Sequence, residues 1–192
     1  MNKLIQHFEY YFNQCIYKVF HDNDREFHTD VLMFEPNEKY PFYKLVTMGA
    51  SDYEMPKVNS SLPNRNEYIL FLSPEMNIDS EDFKWYLNFL IYIAKYAFYE
   101  NAYISVGHSI ELDPDNNSIF NSGFVLFPQI IEDSWVLTCK LGMLKKCACL
   151  QVMPITKSEV DKKNIIGSKA FHDCFYPEEG SPIYLADRKI NL

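Results

Sequence analysis

The chain has 192 residues, a formal net charge of -8 and a hydrophobic fraction of 47%, with 16% aromatic residues. This length fits one domain with a core of its own, and the negative charge argues against nucleic acid and anionic membranes as partners, since both require clustered Lys and Arg. Five cysteines, an odd count, and an N-terminal segment interrupted by polar side chains predict a protein of the reducing cytoplasm.

The first predicted element is an amphipathic helix over residues 3–20, because apolar side chains recur there at steps of three and four. Three strands are then predicted at Thr29–Phe34, Phe42–Thr47 and Tyr68–Leu72, each a short apolar run bounded by turn-forming residues. The polar segment Ser51–Asn66 separates the last two strands, and we expect it to be a surface loop.

A long helix is predicted to follow, capped by Asp79 or Ser80, with Glu81 and Asp82 near the positive end of its dipole. Its apolar stretch Trp85–Tyr99 is shorter than the roughly 20 residues that a bilayer span needs. We therefore expect a core helix.

Four further strands are predicted by the same criteria: Tyr103–Val106, Phe124–Phe127, Trp135–Cys139 and Cys147–Met153. Thr156 and Glu159 have the spacing of a capping box, which predicts a helix that breaks near Gly167. The tail from about residue 176 lacks periodicity and is predicted to be loosely attached. Together these elements predict one α+β domain over residues 1–192, a mixed or antiparallel sheet packed against a few helices.

A polar, glycine-bearing turn after the strand Phe42–Thr47 is the first candidate functional feature. Ser51, His108 and an acid, Asp52 or Asp30, could form a Ser/His/acid triad, since such residues are remote in sequence. However, Ser51 lacks the glycine pattern and the following helix of a nucleophile elbow. The alternatives are a hydrogen-bonded turn, with Gly49 at positive φ and Ser51 or Asp52 as a cap, or a partner-binding edge.

A second candidate is a metal site. Cys147 and Cys149 would point to one face of a strand, and His172 and Cys174 could supply two more ligands. Zinc sites usually contain C-x-x-C turns that wrap the ion, so we favour buried core cysteines. We expect no metal ion and no cofactor.

Acidic and aromatic residues follow both polar turns. Asp52, Tyr53 and Glu54 follow the first turn, and Glu111 and Asp113 follow the second, around residue 108. A run of acids is typical of a solvated loop. If the two turns are neighbours in space, their acids would instead create a negative field that captures a basic protein, with tyrosines as anchors.

Leu45–Pro56 contains the elements L-x-T-x-G-x-S-D and Met-Pro, Gly107–Ile110 reads G-H-S-I, and Met153–Ser168 contains P-I-x-x-x-E followed by G-S. These three segments resemble the signature of the suppressor of fused (SUFU) domain family. The segments occur in the family's order over about residues 28–172.

The resemblance implies a SUFU-like protein-binding domain and no enzymatic activity. Animal members hold a transcription factor in a cleft between this domain and a C-terminal one, and that cleft cannot be carried over because the chain ends where the second domain would begin. Stand-alone bacterial members are regarded as immunity proteins of polymorphic toxin systems. The resemblance thus implies a cytoplasmic immunity protein whose partner is a basic toxin domain.

The candidate partner-binding residues are those of the two polar turns: Thr47, Gly49, Ser51, Asp52, Tyr53, Glu54, His108, Glu111 and Asp113. No residue is assigned a catalytic role. Two alternatives stay open, a serine-type hydrolase using Ser51 and His108, and a sequestering scaffold unrelated to toxins. The sequence does not predict the oligomeric state.

Overall fold

The computed structural model describes residues 2–112, 118–128, 137–174 and 185–188. Its α-helices are α1 (Lys3–Phe12), α2 (Glu81–Tyr99), α3 (Lys157–Ile166) and α4 (Ser168–Asp173). Its strands are β1 (Lys18–Phe20), β2 (Asp30–Phe34), β3 (Tyr43–Met48), β4 (Asn66–Leu72), β5 (Ser109–Glu111), β6 (Phe120–Leu126), β7 (Thr138–Lys140) and β8 (Lys146–Thr156). A short 3₁₀ helix, Ala50–Asp52, follows β3.

The strands form one eight-stranded mixed sheet in the order β1-β2-β3-β4-β8-β6-β5, with β7 also pairing with β8. The pairing of β4 with β8 is parallel, with Asn66 opposite Ala148. The other six pairings are antiparallel. This arrangement confirms the predicted α+β fold with a mixed sheet.

The helices α1 and α2 cover opposite faces of the sheet because each has an apolar side to bury. The α2 helix begins at Ser80, whose hydroxyl accepts a hydrogen bond from the Phe83 N–H, and it buries Leu87, Leu90 and Ala94 against one face. On the other face, α1 packs Phe8 with a second apolar cluster. Within the described ranges, no helix is long and apolar enough to span a membrane.

The predicted N-terminal helix over residues 3–20 is wrong in its second half. The helix ends at Phe12, because Asn13 takes the left-handed conformation at φ 53° and closes it with a hydrogen bond to the Glu9 carbonyl. The chain then forms β1, in which Val19 lies opposite Leu32. Cross-strand pairing outweighs a periodicity that fits a helix equally well.

The predicted strand Tyr103–Val106 is also wrong. The Ile104 carbonyl accepts a hydrogen bond from the Asn66 side chain at 2.8 Å, and pairing with β6 begins only at Gly107, whose N–H donates to Val125. Part of the predicted strand Trp135–Cys139 lies outside the described residues. The capping box of Thr156 and the helix break at Gly167 are confirmed.

Residues 185–188 are firmly attached, which corrects the prediction of a loose tail at that point. The Ala186 N–H donates to the Phe71 carbonyl at 2.7 Å, and Asp187 accepts from the Ser73 N–H at 2.9 Å. Arg188 forms an ion pair with Glu159 at 2.8 Å. Hydrogen bonds and ion pairs attach these residues, and neither produces a periodic apolar pattern. Other tail residues lie outside the described ranges.

Candidate functional site

The polar turn after β3 depends on Gly49. Its φ of 126° is unfavourable for other residues, and a Cβ placed there would lie 2.5 Å from the His28 carbonyl oxygen. The predicted positive φ is confirmed. The turn can therefore approach the β1–β2 loop only because this residue is glycine.

A buried acid that the sequence analysis did not single out, Glu67 of β4, supports the turn from below. Its carboxylate accepts hydrogen bonds from the N–H groups of Gly49 and Ser51, both at 3.1 Å, and from the Thr47 hydroxyl at 2.6 Å. The Ser51 side chain is a further hydrogen-bond partner. Glu67, rather than Ser51 or Asp52, thus caps the turn.

Burial raises the pKa of Glu67, and its hydrogen bonds to Ser51, Thr47 and Gly49 oppose that shift only in part. The signal for this residue was visible in the sequence, because an acid opens an otherwise apolar strand at Glu67-Tyr68. A charged side chain in such a position needs local partners, and the turn provides them.

The rest of the turn faces solvent and forms ion pairs. Asp52 pairs with Lys145 at 2.8 Å, and Glu54 pairs with Arg65 at 2.7 Å. Arg65 also donates to the Ser51 and Asp52 carbonyls, both at 2.9 Å. These two cations, absent from the sequence-based candidates, balance the two acids.

Tyr53 is partly buried beneath this surface. Its hydroxyl donates to Asn101 at 2.7 Å, and its ring packs edge-on against Phe98 of α2 and Phe27. The tyrosine thus ties the turn to α2.

A cavity of about 390 Å³ opens between the turn and the start of α1. Its lining includes Lys3, His28, Asp30, Ser51 and Lys145. The cavity therefore carries both positive and negative groups, and its walls come from segments that are far apart in the sequence.

His108 directly precedes β5, the strand at the far edge of the sheet from β1. Its ring packs against Tyr103 at a centroid distance of 6.2 Å, and its carbonyl accepts from the Val125 N–H of β6. Although the residue is exposed overall, partial burial of the ring and the nearby Lys163 lower its pKa.

The two polar turns do not meet, because β4, β8 and β6 separate the end of β3 from the segment that carries His108. Four strand spacings of about 4.8 Å place these segments on the order of 19 Å apart. At this separation Ser51 and His108 lie beyond hydrogen-bond reach of each other, and the described acids Asp52, Glu54 and Glu111 form no single cluster. Glu111 is exposed on β5, and Asp113 lies outside the described residues.

The cysteines of β7 and β8 are core residues. Cys139 lies directly opposite Cys147, and both are buried together with Cys149, so the predicted common face of Cys147 and Cys149 is confirmed. Hydrogen bonding and burial raise the pKa of the Cys139 thiol. His172 packs near Phe127, with ring centroids 6.3 Å apart, and among the described residues neither His172 nor Cys174 joins a possible metal-ligand group with Cys147 and Cys149.

Comparison with known proteins identifies one family that matches this chain. The family described as Suppressor of fused protein (SUFU) matches residues 25–189. No curated protein sequence matches significantly.

Solved structures agree on the fold. A SUFU homologue from Neisseria gonorrhoeae FA 1090 is 14% identical with a TM-score of 0.68, covering 97% of this chain and 93% of that one. The Sufu–Fu complex structure gives 12% identity and a TM-score of 0.66, covering 97% and 89%.

Drosophila Suppressor of Fused gives 11% identity and a TM-score of 0.61, covering 98% of this chain and 50% of that one. The chain thus spans about half the length of the Drosophila protein. Since the family match covers most of the chain, this protein belongs to the suppressor of fused family.

Proposed function

We propose that this chain is a non-enzymatic binding module, an immunity protein that neutralises a cognate toxin by occupying its surface. Family membership supports the binding role, since a related protein has been solved as the Sufu–Fu complex. The toxin as partner extends the implication drawn from the stand-alone bacterial members.

The observation that carries the proposal is the support of the exposed turn by Glu67. Two backbone N–H groups and the Thr47 hydroxyl are fixed by one buried carboxylate, while Asp52 and Glu54 remain exposed above it. A surface ordered before binding loses less conformational entropy when a partner docks. The turn is therefore suited to recognition.

A basic partner fits the charges of this surface. The pair of Asp52 with Lys145 is exposed, with side-chain accessibilities of 74% and 39%, and such pairs contribute at most about 1 kcal/mol. A partner's Arg can replace Lys145 as the contact of Asp52 at small cost. The net charge of -8 would also accelerate the encounter.

A standard interface of about 800 Å² per partner is roughly 30 Å across, which exceeds the estimated separation of the two turns. We therefore keep His108 and Glu111 as candidate contacts at the edge of a surface centred on Asp52 to Glu54. Asp113, outside the described residues, stays a candidate from the sequence alone.

The test is to co-express the chain with the protein encoded by the neighbouring gene, purify the complex and titrate its components by calorimetry at low and high salt. We expect a complex that weakens as salt rises and a toxin activity that disappears on binding. A complex that leaves the toxin fully active would contradict the immunity role and favour a sequestering scaffold. If no complex forms with that protein, it is not the partner of this chain.

A further inference from the structure

We propose that His21, His28 and Asp30 form a binding site for a transition-metal ion, with Zn²⁺ as the expected occupant. The two histidines lie in the loop between β1 and β2, and Asp30 is the first residue of β2. Nδ1 of His21 lies 3.2 Å from one oxygen of Asp30, and Nε2 of His28 lies 2.8 Å from the other. All three ligand atoms lie within 4.8 Å of one another.

These distances suit a tetrahedral ion after a small adjustment. Bonds of about 2.0–2.1 Å to nitrogen and oxygen place neighbouring ligand atoms about 3.3 Å apart. The side chains of His21 and His28 are 73% and 53% exposed, so they can close around an ion without repacking the core. Asp30, at 10%, is the fixed member of the set.

The loop that carries the histidines is already ordered. Lys95 of α2 binds Asp22 and also Asp24, the latter at 2.9 Å. The Asp22 carboxylate in turn accepts from the Thr29 N–H at 3.2 Å, and the Asp22 N–H donates to Asp30 at 3.1 Å. Outer contacts of this kind orient metal ligands before the ion arrives.

The chemistry of the ligands selects the class of ion. Imidazole nitrogen suits Zn²⁺, Cu²⁺, Ni²⁺ and Fe²⁺, whereas Mg²⁺ and Ca²⁺ require sets of oxygen ligands. Three protein ligands leave one tetrahedral position for water or for a group from another molecule. The site is independent of the proposed toxin partner, although His28 and Asp30 also line the cavity beside Ser51.

The test uses the full chain without an affinity tag. Co²⁺ is titrated as a spectroscopic probe, and Zn²⁺ binding is then measured by calorimetry. We expect one ion per chain and visible bands without a thiolate charge-transfer band. His21→Ala and His28→Ala should each weaken binding about tenfold or more, and His108→Ala, which alters an exposed histidine elsewhere, should leave it unchanged.

Two outcomes would overturn the site. One is Zn²⁺ affinity equal to that of the original chain in both His21→Ala and His28→Ala. The other is a thiolate charge-transfer band, which would place the ion on cysteine. Because both histidines are exposed, their variants keep the fold, and circular dichroism checks this directly.

Discussion

The Thr47 hydroxyl donates a hydrogen bond to the buried carboxylate of Glu67 at 2.6 Å and accepts one from the Tyr68 N–H at 2.8 Å. One hydroxyl thus connects β3, the backbone of β4 and the acid that supports the polar turn. The turn and its support are consequently one hydrogen-bonded unit, and each member can be tested separately.

Thr47→Val keeps the shape of the side chain but removes the hydroxyl. It leaves the Tyr68 N–H and one Glu67 oxygen without this partner, so we expect the free energy of unfolding to fall by about 2–3 kcal/mol. The matched control is Thr29→Val, because Thr29 is equally buried and its hydroxyl has no hydrogen-bond partner among the described residues. Urea denaturation should show a near-neutral effect for the control. Equal losses in both variants would contradict the role of Thr47.

Glu67→Gln tests the protonation of the buried acid. The folded pKa of Glu67 is raised above its ordinary value of 4.5, so the folded state binds the proton more tightly than the unfolded state. Its contribution to stability is therefore fully present below pH 4.5 and is lost as the pH rises through the folded pKa. Relative to Glu67→Gln, the original chain should lose stability as the pH rises above 4.5. A relative gain over that range would show that the hydrogen bonds outweigh burial.

The sequence predicted those parts of this unit that depend on local chemistry. Gly49 was expected at positive φ, as observed. Elsewhere in the chain, the residue types limited the cap of α2 to Asp79 or Ser80, and Ser80 is the cap. The end of α1 could not be predicted in the same way, because Val19 and Phe20 satisfy helical periodicity and strand pairing equally. Only the pairing with β2 decides between them.

The separation of Ser51 from His108 could not be predicted from the sequence for a different reason. It depends on the insertion of β8 between β4 and β6, a contact between segments far apart in the chain. The group of His21, His28 and Asp30 shows the same limit, since its spacing matches no familiar ligand motif. Glu67, in contrast, could have been found as an acid at the start of an apolar strand.

Gly49→Ala is expected to disrupt the turn more than backbone strain alone would. Gly167→Ala is the control, since Gly167 also has positive φ, 84°, but a Cβ there would meet no atom within 4 Å. The control should cost about 1–3 kcal/mol from strain. The clash with the His28 carbonyl should add about 2 kcal/mol in Gly49→Ala. Equal losses in chemical denaturation would show that the close approach has no energetic weight.

Lys44 provides a test at alkaline pH. Its side chain is buried, its ammonium donates to the Glu35 and Tyr40 carbonyls, and burial lowers its pKa from 10.5 to about 8. The unfolded state thus binds more protons between these values, so stability should rise as the pH increases from about 8 to 10.5. Relative to Lys44→Met, the gain should be on the order of 3 kcal/mol. A flat difference between the two proteins would contradict the lowered pKa.

In our proposal the chain acts by binding a protein through the turn of Asp52 to Glu54. The decisive experiment is calorimetric titration of the proposed toxin partner with Asp52→Lys, with Asp161→Lys as the control, because each of these exposed acids pairs with one lysine at 2.8 Å. We expect Asp52→Lys to weaken binding about tenfold or more and Asp161→Lys to have little effect. Equal affinities for both variants and the original chain would contradict it.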